Sequence, residues 1–369
     1  MTFPNSFRSE LRWSDYVLAR GAPEVEALWT APAVEDLDAL YILADGFDPR
    51  TLVGVRSFLA THGVKRTAVL ALGMPPTSNA TAQIMALQNA QELLRLTSGG
   101  ARMSQLPYPT VSEARAAGQR IAKQVILDGH LNAPKLIVID VSAMPTAVHF
   151  ALIGAVLQYC SQRTDRPDVQ TVVCENPELD AAIVSVGTGP ADTIGGFTHG
   201  LDLEARSQQL RIWAPVLGPG ETIPLRSLFE RLEPREICPV LPFPSRNPRL
   251  ADDLLLEYRS SLFEMMEVEP RDIIYADERN PFDLYRTLSR LNTRYREALE
   301  RPLGEVKVIL SAHSSKLMSL GVLLAAHEHA LPVMSAPPTS YDLAAGFTHD
   351  RFVQHNQLVC LWLEGFPYQ

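Results

Sequence analysis

The feature that most constrains the fold is a regular alternation of strand-like and helix-like segments that begins at Leu37. Continuous apolar runs, of which residues 39–44 and 136–141 are the clearest, are typical of strands buried on both faces of a sheet. A turn and a helix-length segment follow each run. This order predicts an α/β fold with mostly parallel sheets and helices on both faces.

A tetrapeptide, Gly-Phe-Thr-His, occurs at residues 196–199 and again at residues 346–349. Each copy precedes an apolar run that contains a tryptophan, Trp213 after the first and Trp362 after the second. We expect these runs to form strands at sheet edges. The alternation of strands and helices starts again at Leu210, so each copy of the tetrapeptide closes one α/β unit.

The two units can be overlaid on each other. An offset of 170 positions pairs Pro49 with Pro219, and an offset of 169 pairs residues 142–143 with 311–312, which are Ser-Ala in both places. These matches predict an internal duplication that gives two Rossmann-like halves arranged as a pseudo-two-fold pair. We assign the chain to three parts: an N-terminal extension that packs on the first half, 1–37; the first Rossmann-like half, 38–205; and the second Rossmann-like half, 206–369.

Composition bounds the class of protein and its partners. The 369 residues exceed what one hydrophobic core usually supports, in agreement with two halves. The formal net charge is -9, and Lys and Arg are scattered, so we expect no direct binding along a long nucleic acid. Four cysteines without a CxxC pair indicate reduced thiols and no metal site.

The sequence also bears on where in the cell the protein is located. The first residues are charged and contain no apolar signal-peptide core. The longest apolar helix-like run, residues 147–159, is too short to span a bilayer. We therefore expect a cytoplasmic protein that makes no contact with a membrane. The sequence identifies no cofactor.

Candidate ligand contacts lie where strands lead into helices, because ligands of open parallel sheets bind beyond the carboxyl ends of the strands. The richest such turn, residues 311–316, offers three hydroxyls, an imidazole and an ammonium, which suit a phosphate or a carboxylate. We expect five of its residues to contact the ligand: Ser311, His313, Ser314, Ser315 and Lys316. The alternative is that a serine only caps the next helix while Lys316 faces solvent.

Other strand ends supply further candidate ligand contacts: Asp45, Arg50, Asp140, Ser142, Glu175 and Tyr341. We interpret Asp48, between Asp45 and Arg50, as the N-cap of the following helix. A carboxylate at the end of an apolar strand can contact a ribose or a metal, or it can be held by backbone N–H groups. Tyr341 can stack on a base or close a loop. A structural role is thus the alternative for these candidates.

His199 and His349 end the two copies of the tetrapeptide. Each imidazole can satisfy backbone carbonyls at a structural corner before the next strand. Each can also act as a general base or a ligand contact near neutral pH. Because both halves have a copy, the pattern favours the structural corner.

Paired Rossmann-like halves that face each other across a two-fold axis resemble the architecture of CARF and SAVED domains, which bind cyclic oligonucleotide messengers. In those families a strand-to-helix turn rich in small polar residues, often with a lysine, contacts the ligand, and residues 311–316 are similar in character. The resemblance is one of fold and spans residues 38–369. It implies a regulatory or sensor protein that binds a nucleotide-type or other anionic small molecule between the halves.

Two other functions stay open at this point. An enzyme could act on a nucleotide or acyl substrate with His313 or His349 as a base and Lys316 holding an anion, although no nucleophile is paired with a base in the sequence. A non-catalytic subunit could instead join a multiprotein assembly through its apolar helices, as a homo-oligomer or with partner proteins. The residues do not decide whether the chain is an enzyme.

Overall fold

The computed structural model describes residues 11–75, 77, 79–109, 116–204, 209–344 and 355–368. Within these ranges the chain has a mixed α/β architecture with mostly parallel sheets, as the alternation of apolar runs predicts. The second tetrapeptide, with His349, lies outside the described residues, as does the first part of the N-terminal extension.

Up to the first tetrapeptide, the strands and helices have these bounds: β1 Val17–Arg20, α1 Ala22–Trp29, β2 Ala39–Asp45, α2 Thr51–Thr61, β3 Thr67–Gly73, α3 Ala80–Thr97, β4 Arg102–Leu106, α4 Ala117–Leu127, β5 Leu136–Asp140, α5 Thr146–Ser161, β6 Asp168–Glu175, α6 Pro177–Ala182, β7 Ile183–Val186 and β8 Asp192–Thr193.

The remaining elements are these: β9 Leu210–Val216, α7 Thr222–Leu232, β10 Glu236–Ile237, β11 Val240–Pro242, α8 Leu250–Glu257, β12 Ile274–Ala276, α9 Pro281–Leu303, β13 Val306–Ala312, α10 Lys316–His329, β14 Val333–Ser335, β15 Ser340–Leu343 and β16 Gln357–Glu364. Short 3-10 turns cover Val64–Arg66, Pro270–Asp272 and Phe366–Tyr368, and a π-helical turn covers Ser260–Met265.

Two large sheets organise the molecule. The first has the strand order β1-β16-β6-β5-β2-β3-β4, and the second has the order β12-β11-β9-β13-β14-β8, with β10 also paired to β9. The strands from β6 to β4 in the first sheet and from β12 to β14 in the second are parallel. Strands β1, β16 and β8 join antiparallel. A separate two-stranded antiparallel ribbon pairs β7 with β15.

The strands that contain the repeated tryptophans do not lie at sheet edges, so that prediction is wrong. Strand β9, with Trp213, lies between β11 and β13, and β16, with Trp362, lies between β1 and β6. Both tryptophans are almost fully buried. Their apolar runs are continuous because both faces of each strand are covered, which is the pattern of an internal strand.

Three further expectations differ from the structure. Helix α2 begins at Thr51 rather than after Asp48, whose carboxylate accepts from the backbone N–H of Arg50 at 3.0 Å and from its guanidinium. The helix expected over residues 249–266 is interrupted after α8 and continues as a π-helical turn. The N-terminal extension contributes strand β1 to the first sheet and also contacts helix α9, since Tyr16 stacks on Phe282.

Helices α5 and α10 connect the two sheets into one core. Both are apolar on nearly all sides, as buried helices are, and residues 317–326 of α10 are all buried. The two helices pack against each other, and Nε2 of His149 lies 3.1 Å from Oγ of Ser319 in a buried hydrogen bond. The first turns of these helices, at the carboxyl ends of β5 and β13, are thereby brought face to face.

Candidate functional site

The turns after β5 and β13 meet at one hydrogen bond. Nζ of Lys316, the first residue of α10, donates to the backbone carbonyl of Met144 at 2.6 Å. Met144 lies just before α5, so a cation from the second sheet reaches the turn at the carboxyl end of the first sheet. Ser315 caps α10 by accepting a hydrogen bond from the backbone N–H of Met318 at 3.3 Å. The capping role predicted as an alternative is therefore present, but Lys316 points inward.

A glycine allows the turn after β13 to pack closely on the turn after β9. A Cβ atom built at Gly218 would lie within 2.7 Å of the Cα atom of Ser314 and still closer to the His313 carbonyl. Real Cβ atoms essentially never come that close to backbone. Gly218 thus fixes the position of residues 313–314, and through them the start of α10.

Lys316 is a partly buried cation that, within the described part of the chain, has no carboxylate at ion-pair distance. Burial, followed by the nearby guanidinium of Arg50, lowers the pKa of Lys316 to about 8. Within the described residues, no carboxylate oxygen lies within the 4.0 Å salt-bridge distance of its Nζ atom. The ammonium therefore has a backbone carbonyl as its partner and lacks a neutralising anion.

The Arg50 guanidinium, by contrast, forms ion pairs with two carboxylates. Its Nη2 atom lies 2.7 Å from Asp48 Oδ2, and its Nη1 atom lies 2.5 Å from Asp180 Oδ1. The two carboxylates raise the pKa of Arg50 although burial opposes them. Arg50 lowers the pKa of Lys316 and its two carboxylate partners raise it, so the Arg50 cluster and Lys316 interact electrostatically, with the two acids paired to the arginine.

His313 and Ser311 form a buried chain of contacts. The Ser311 hydroxyl accepts from Trp213 Nε1 at 3.0 Å and lies 3.0 Å from His313 Nε2, while His313 Nδ1 lies 3.8 Å from Glu221 Oε2. The arrangement superficially resembles a Ser-His-Glu triad. Ser311 has no exposed surface, however, so its hydroxyl cannot reach a substrate and serves as the indole's acceptor. Nearby, the Ser314 hydroxyl is buried without a hydrogen-bond partner.

Asp140 and Ser142 hold the first sheet together. Asp140 Oδ2 accepts from the Tyr41 hydroxyl at 2.7 Å, and Oδ1 accepts from the backbone N–H of Ser142 at 3.0 Å as well as from its hydroxyl. Ser142 Oγ in turn accepts from the backbone N–H of Cys174 at 2.7 Å. Every acceptor of the carboxylate faces protein, so the structural alternative describes Asp140.

Within the described residues, Asp45 and Tyr341 make no hydrogen bond or ion pair with Lys316. Asp45 Oδ2 accepts weakly from Gln105 Nε2 at 3.3 Å, and burial raises the pKa of Asp45. Tyr341 lies in the β7/β15 ribbon, opposite Ser185. Burial, together with Glu221 and Tyr108, raises the pKa of Tyr341 to about 12.

Glu175 ends β6 and binds arginines. Its Oε2 atom lies 2.6 Å from Arg246 Nη2 and 3.9 Å from Arg20 Nη1. Arg246 follows β11 of the second sheet, so this ion pair is another link between the carboxyl edges of the two sheets. Burial nevertheless raises the pKa of Glu175.

His199 lies away from these turns. Its φ of 39° is in the left-handed region, and its carbonyl accepts from Lys307 Nζ at 3.3 Å, which fits a structural corner. Its Nε2 atom is buried without a partner, and burial lowers the pKa of the imidazole. The residue lines a groove of about 630 Å³ between α4 and α5, together with His327.

The structure brings some predicted site residues together and separates others. Lys316 and Arg50 are neighbours, whereas Asp140, Ser142 and Ser311 lie beneath the turns in buried networks, and His199 lies elsewhere. Sequence reasoning missed the carbonyl of Met144 and the carboxylate of Asp180. The offset of 170 positions that pairs Thr146 with Lys316, the first residues of α5 and α10, could have placed Met144 beside Lys316.

Comparison with known proteins gives no family model and no curated protein that matches the sequence. Within the described residues, no group of three or more His, Cys, Asp or Glu side chains is placed to hold a metal ion. The described helices also include none whose length and apolar character would let it cross a bilayer.

Proposed function

We propose that the protein is a regulatory or sensor protein that binds a small anionic ligand, of nucleotide type, between its two sheets. The observation that carries this proposal is the partly buried Lys316 ammonium, which has the Met144 carbonyl as its partner and, among the described residues, no carboxylate within ion-pair distance. An oxyanion at this point would neutralise the ammonium and accept hydrogen bonds from it. Ligands of open α/β sheets bind at this edge.

The proposal includes an internal duplication, in which the two Rossmann-like halves of the chain are related to each other. Starting from β16, the first sheet runs β16-β6-β5-β2-β3-β4. Starting from β8, the second sheet runs β8-β14-β13-β9-β11-β12. After the first strand of each order, the strand at a given place in one sheet is reached at the same step along its part of the chain as the strand at that place in the other sheet. This common order supports two related halves. The hydrogen bond between His149 and Ser319, which are 170 positions apart, is of the kind expected across a pseudo-two-fold axis.

Aromatic side chains, as well as the positive charge of Lys316, favour a nucleotide as the ligand. Tyr341 lies near Tyr108 and near Glu221, whose Oε2 atom is 3.8 Å from His313 Nδ1, so the tyrosines offer aromatic surface for a base in the region of the turn after β13. Asp48 and Asp180 hold the Arg50 guanidinium in place, so the proposed anion relies on Lys316 for its charge. The proposed ligand therefore combines an anionic group at Lys316 with a planar group toward the tyrosines.

Titration calorimetry of the full chain with a panel of nucleotides and cyclic dinucleotides tests the proposal. We expect one class to bind, and we expect Lys316→Met to weaken that binding by about tenfold or more, since a hydrogen bond to a charged group contributes on the order of 1.5–3 kcal/mol. Lys135→Met is the matched control, because Lys135 is half exposed and pairs with Asp165 on the surface.

The pH dependence gives a second readout of the same site. Because the pKa of Lys316 in the free protein is about 8, affinity should be constant below that pH and fall as the pH rises above it. Lys316→Met should abolish this dependence. If no member of the panel binds a well-folded protein, the sensor function is wrong and a non-catalytic role in an assembly is favoured.

A further inference from the structure

Helices α4 and α5 border a groove that the site at Lys316 does not use. The two helices touch near their first turns, where a Cβ atom built at Gly118 would clash with the backbone oxygen of Ala147. Farther along they enclose, together with residues 195–199 and His327, a cavity of about 630 Å³. Sites for small organic molecules usually measure about 300–1,000 Å³, so the groove has the size of a ligand site.

The groove presents apolar surface that solvent reaches. Ala151, Gly154 and Ala155 of α5 line it, and their small size leaves room between the two helices. The ring of Phe197 packs on this face, since a Cβ atom built at Gly154 would lie 3.0 Å from it. Leu127 of α4 also lines the groove and is 66% exposed. An apolar chain laid between the helices would cover this surface.

The lining of the groove has positive charge and no negative charge. Among the described residues that line it, Lys123 is the charged one near pH 7, and none is an aspartate or a glutamate. Burial lowers the pKa of His199 and that of His327, the latter to about 4, so both imidazoles are neutral at that pH. Lys123 is exposed, so its ammonium can reach a ligand. One accessible cation beside apolar surface favours a ligand with a single negative charge and an apolar body.

We propose that this groove is a second ligand site, which binds an amphipathic monocarboxylate of the fatty-acid type. The carboxylate pairs with Lys123 at the rim, and the acyl chain lies on Ala151 and Ala155 between the helices. His327 is eleven residues after Lys316 on α10, about 16 Å along the helix, so the two sites are separate. Binding in the groove does not depend on the function proposed for Lys316.

The test is titration calorimetry of the full chain at neutral pH with decanoate, kept below its micelle concentration. We expect saturable binding of one decanoate per chain. Octanoate, which is two methylene groups shorter, should bind about tenfold more weakly, because each methylene group removed from water contributes about a factor of four in affinity and the groove is partly open. Decylammonium, which has the opposite charge, should bind more weakly than decanoate.

A substitution at the rim tests the charge. Lys123→Met should weaken decanoate binding about threefold, as for the loss of an exposed ion pair, and bring the affinities of decanoate and decylammonium closer together. Lys65→Met is the matched control, since Lys65 is an exposed lysine in the 3-10 turn before β3 and does not line the groove.

A substitution in the floor tests the place. Ala155→Leu fills the groove and should weaken the binding of both decanoate and decylammonium about tenfold or more, because the chain then buries fewer methylene groups. Ala27→Leu, at an exposed position of α1, is the matched control and should leave both affinities unchanged.

The possible results separate the parts of the proposal. Absence of saturable decanoate binding would overturn the site, as would equal decanoate affinity in Ala155→Leu and Ala27→Leu. If Ala155→Leu does not fold, equal decanoate affinity in Lys123→Met and Lys65→Met would overturn it. Decylammonium that binds wild-type protein as tightly as decanoate would overturn the assignment to an anion. Lys316→Met should bind decanoate normally, and loss of binding there would place the acid at Lys316 and not in the groove.

Discussion

At the scale of single residues, the partly buried Lys316 and the fully buried Asp140 both have pKa values shifted toward neutrality. Burial lowers the pKa of Lys316, which has one carbonyl partner. Burial also raises the pKa of Asp140 to about 6, although Ser142 and Tyr41 donate hydrogen bonds that oppose the shift. The lysine lacks a partner that a ligand could supply, whereas the aspartate has all its partners within the chain.

Asp140 should make stability depend on pH. Because the folded state holds this proton up to about pH 6, the stabilisation is complete below the unfolded pKa near 4 and is lost as the pH rises to 6. The loss amounts to roughly 3 kcal/mol at most. Asp140→Asn should flatten this part of the curve, as measured by urea unfolding at pH 4 and pH 7.

The comparison needs a control, because other groups titrate over the same range. Asp252→Asn, at an exposed position of α8, should keep the wild-type pH dependence. If Asp140→Asn and wild-type protein lose unfolding free energy equally between the two pH values, Asp140 is not the group responsible.

The sequence could nominate Asp140 but could not assign its role. An acidic residue at the end of an apolar strand is visible in the sequence, but its partner Tyr41 lies 99 positions away on a neighbouring strand. Hydrogen bonds of this kind depend on strand order and register, which apolar patterns do not specify. The same holds for Ser311, whose partner Trp213 is 98 positions away.

At the scale of elements, the packing of α2 depends on a glycine inside the helix. Gly54 faces the Tyr41–Asp140 pair, and a Cβ atom there would lie 2.5 Å from Asp140 Oδ2 and closer still to the Tyr41 hydroxyl. Glycine is normally unfavourable within a helix, by about 1 kcal/mol relative to alanine. Here it lets α2 approach β2 and β5 without displacing the hydrogen-bonded pair.

We expect Gly54→Ala to destabilise the protein by about 1–3 kcal/mol despite the better helix propensity of alanine, because it overpacks a rigid polar contact. Gly99→Ala is the control: a Cβ atom there would meet the Val64 side chain at ordinary distances, 3.6 Å from Cγ1 and 3.9 Å from Cγ2. Chemical unfolding should show little change for the control. A more stable Gly54→Ala protein would contradict this account.

Elements with strong local patterns could be predicted, and those defined by distant partners could not. Strand β9 has the predicted bounds, 210–216, because both of its faces are apolar. Strand β1 was missed, since its four residues have no clear pattern and its partner is β16, at the other end of the described chain. The long-range pairing, not local propensity, makes it a strand.

At the scale of the whole molecule, each of the two large sheets contains a strand from the part of the chain that builds the other sheet. Strand β8 comes from the part of the chain that builds the first sheet but pairs with β14 of the second. Strand β16 follows the second sheet in the chain but pairs with β6 and β1 of the first. Together with the α5–α10 contact, this exchange means that neither sheet is complete without segments from both parts of the chain.

We therefore expect a single cooperative thermal transition, with equal calorimetric and van't Hoff enthalpies in differential scanning calorimetry. Leu361→Ala, in the buried centre of β16, should cost about 2–5 kcal/mol and lower that transition as a whole. Two resolved transitions, in either protein, would mean that the sheets unfold independently in spite of the exchanged strands.

The candidate site could be predicted only in outline. The preference of ligands for strand ends directed attention to residues 311–316, and Lys316 is the member with a distinctive environment. Its neighbours Met144 and Arg50 come from the other sheet, and only the packing of α5 on α10 brings them close. No local pattern specifies the distance between two sheets.

The exchange of β16 also has a consequence for how the protein is made. The ribosome completes β6 long before β16, so the first sheet has an unpaired inner edge throughout the synthesis of the second. An exposed strand of this kind is a template for wrong pairing with other chains. The first sheet therefore cannot be completed before residues 357–364 have left the ribosome, and chaperones that shield apolar strands should contact the nascent chain until β16 is released.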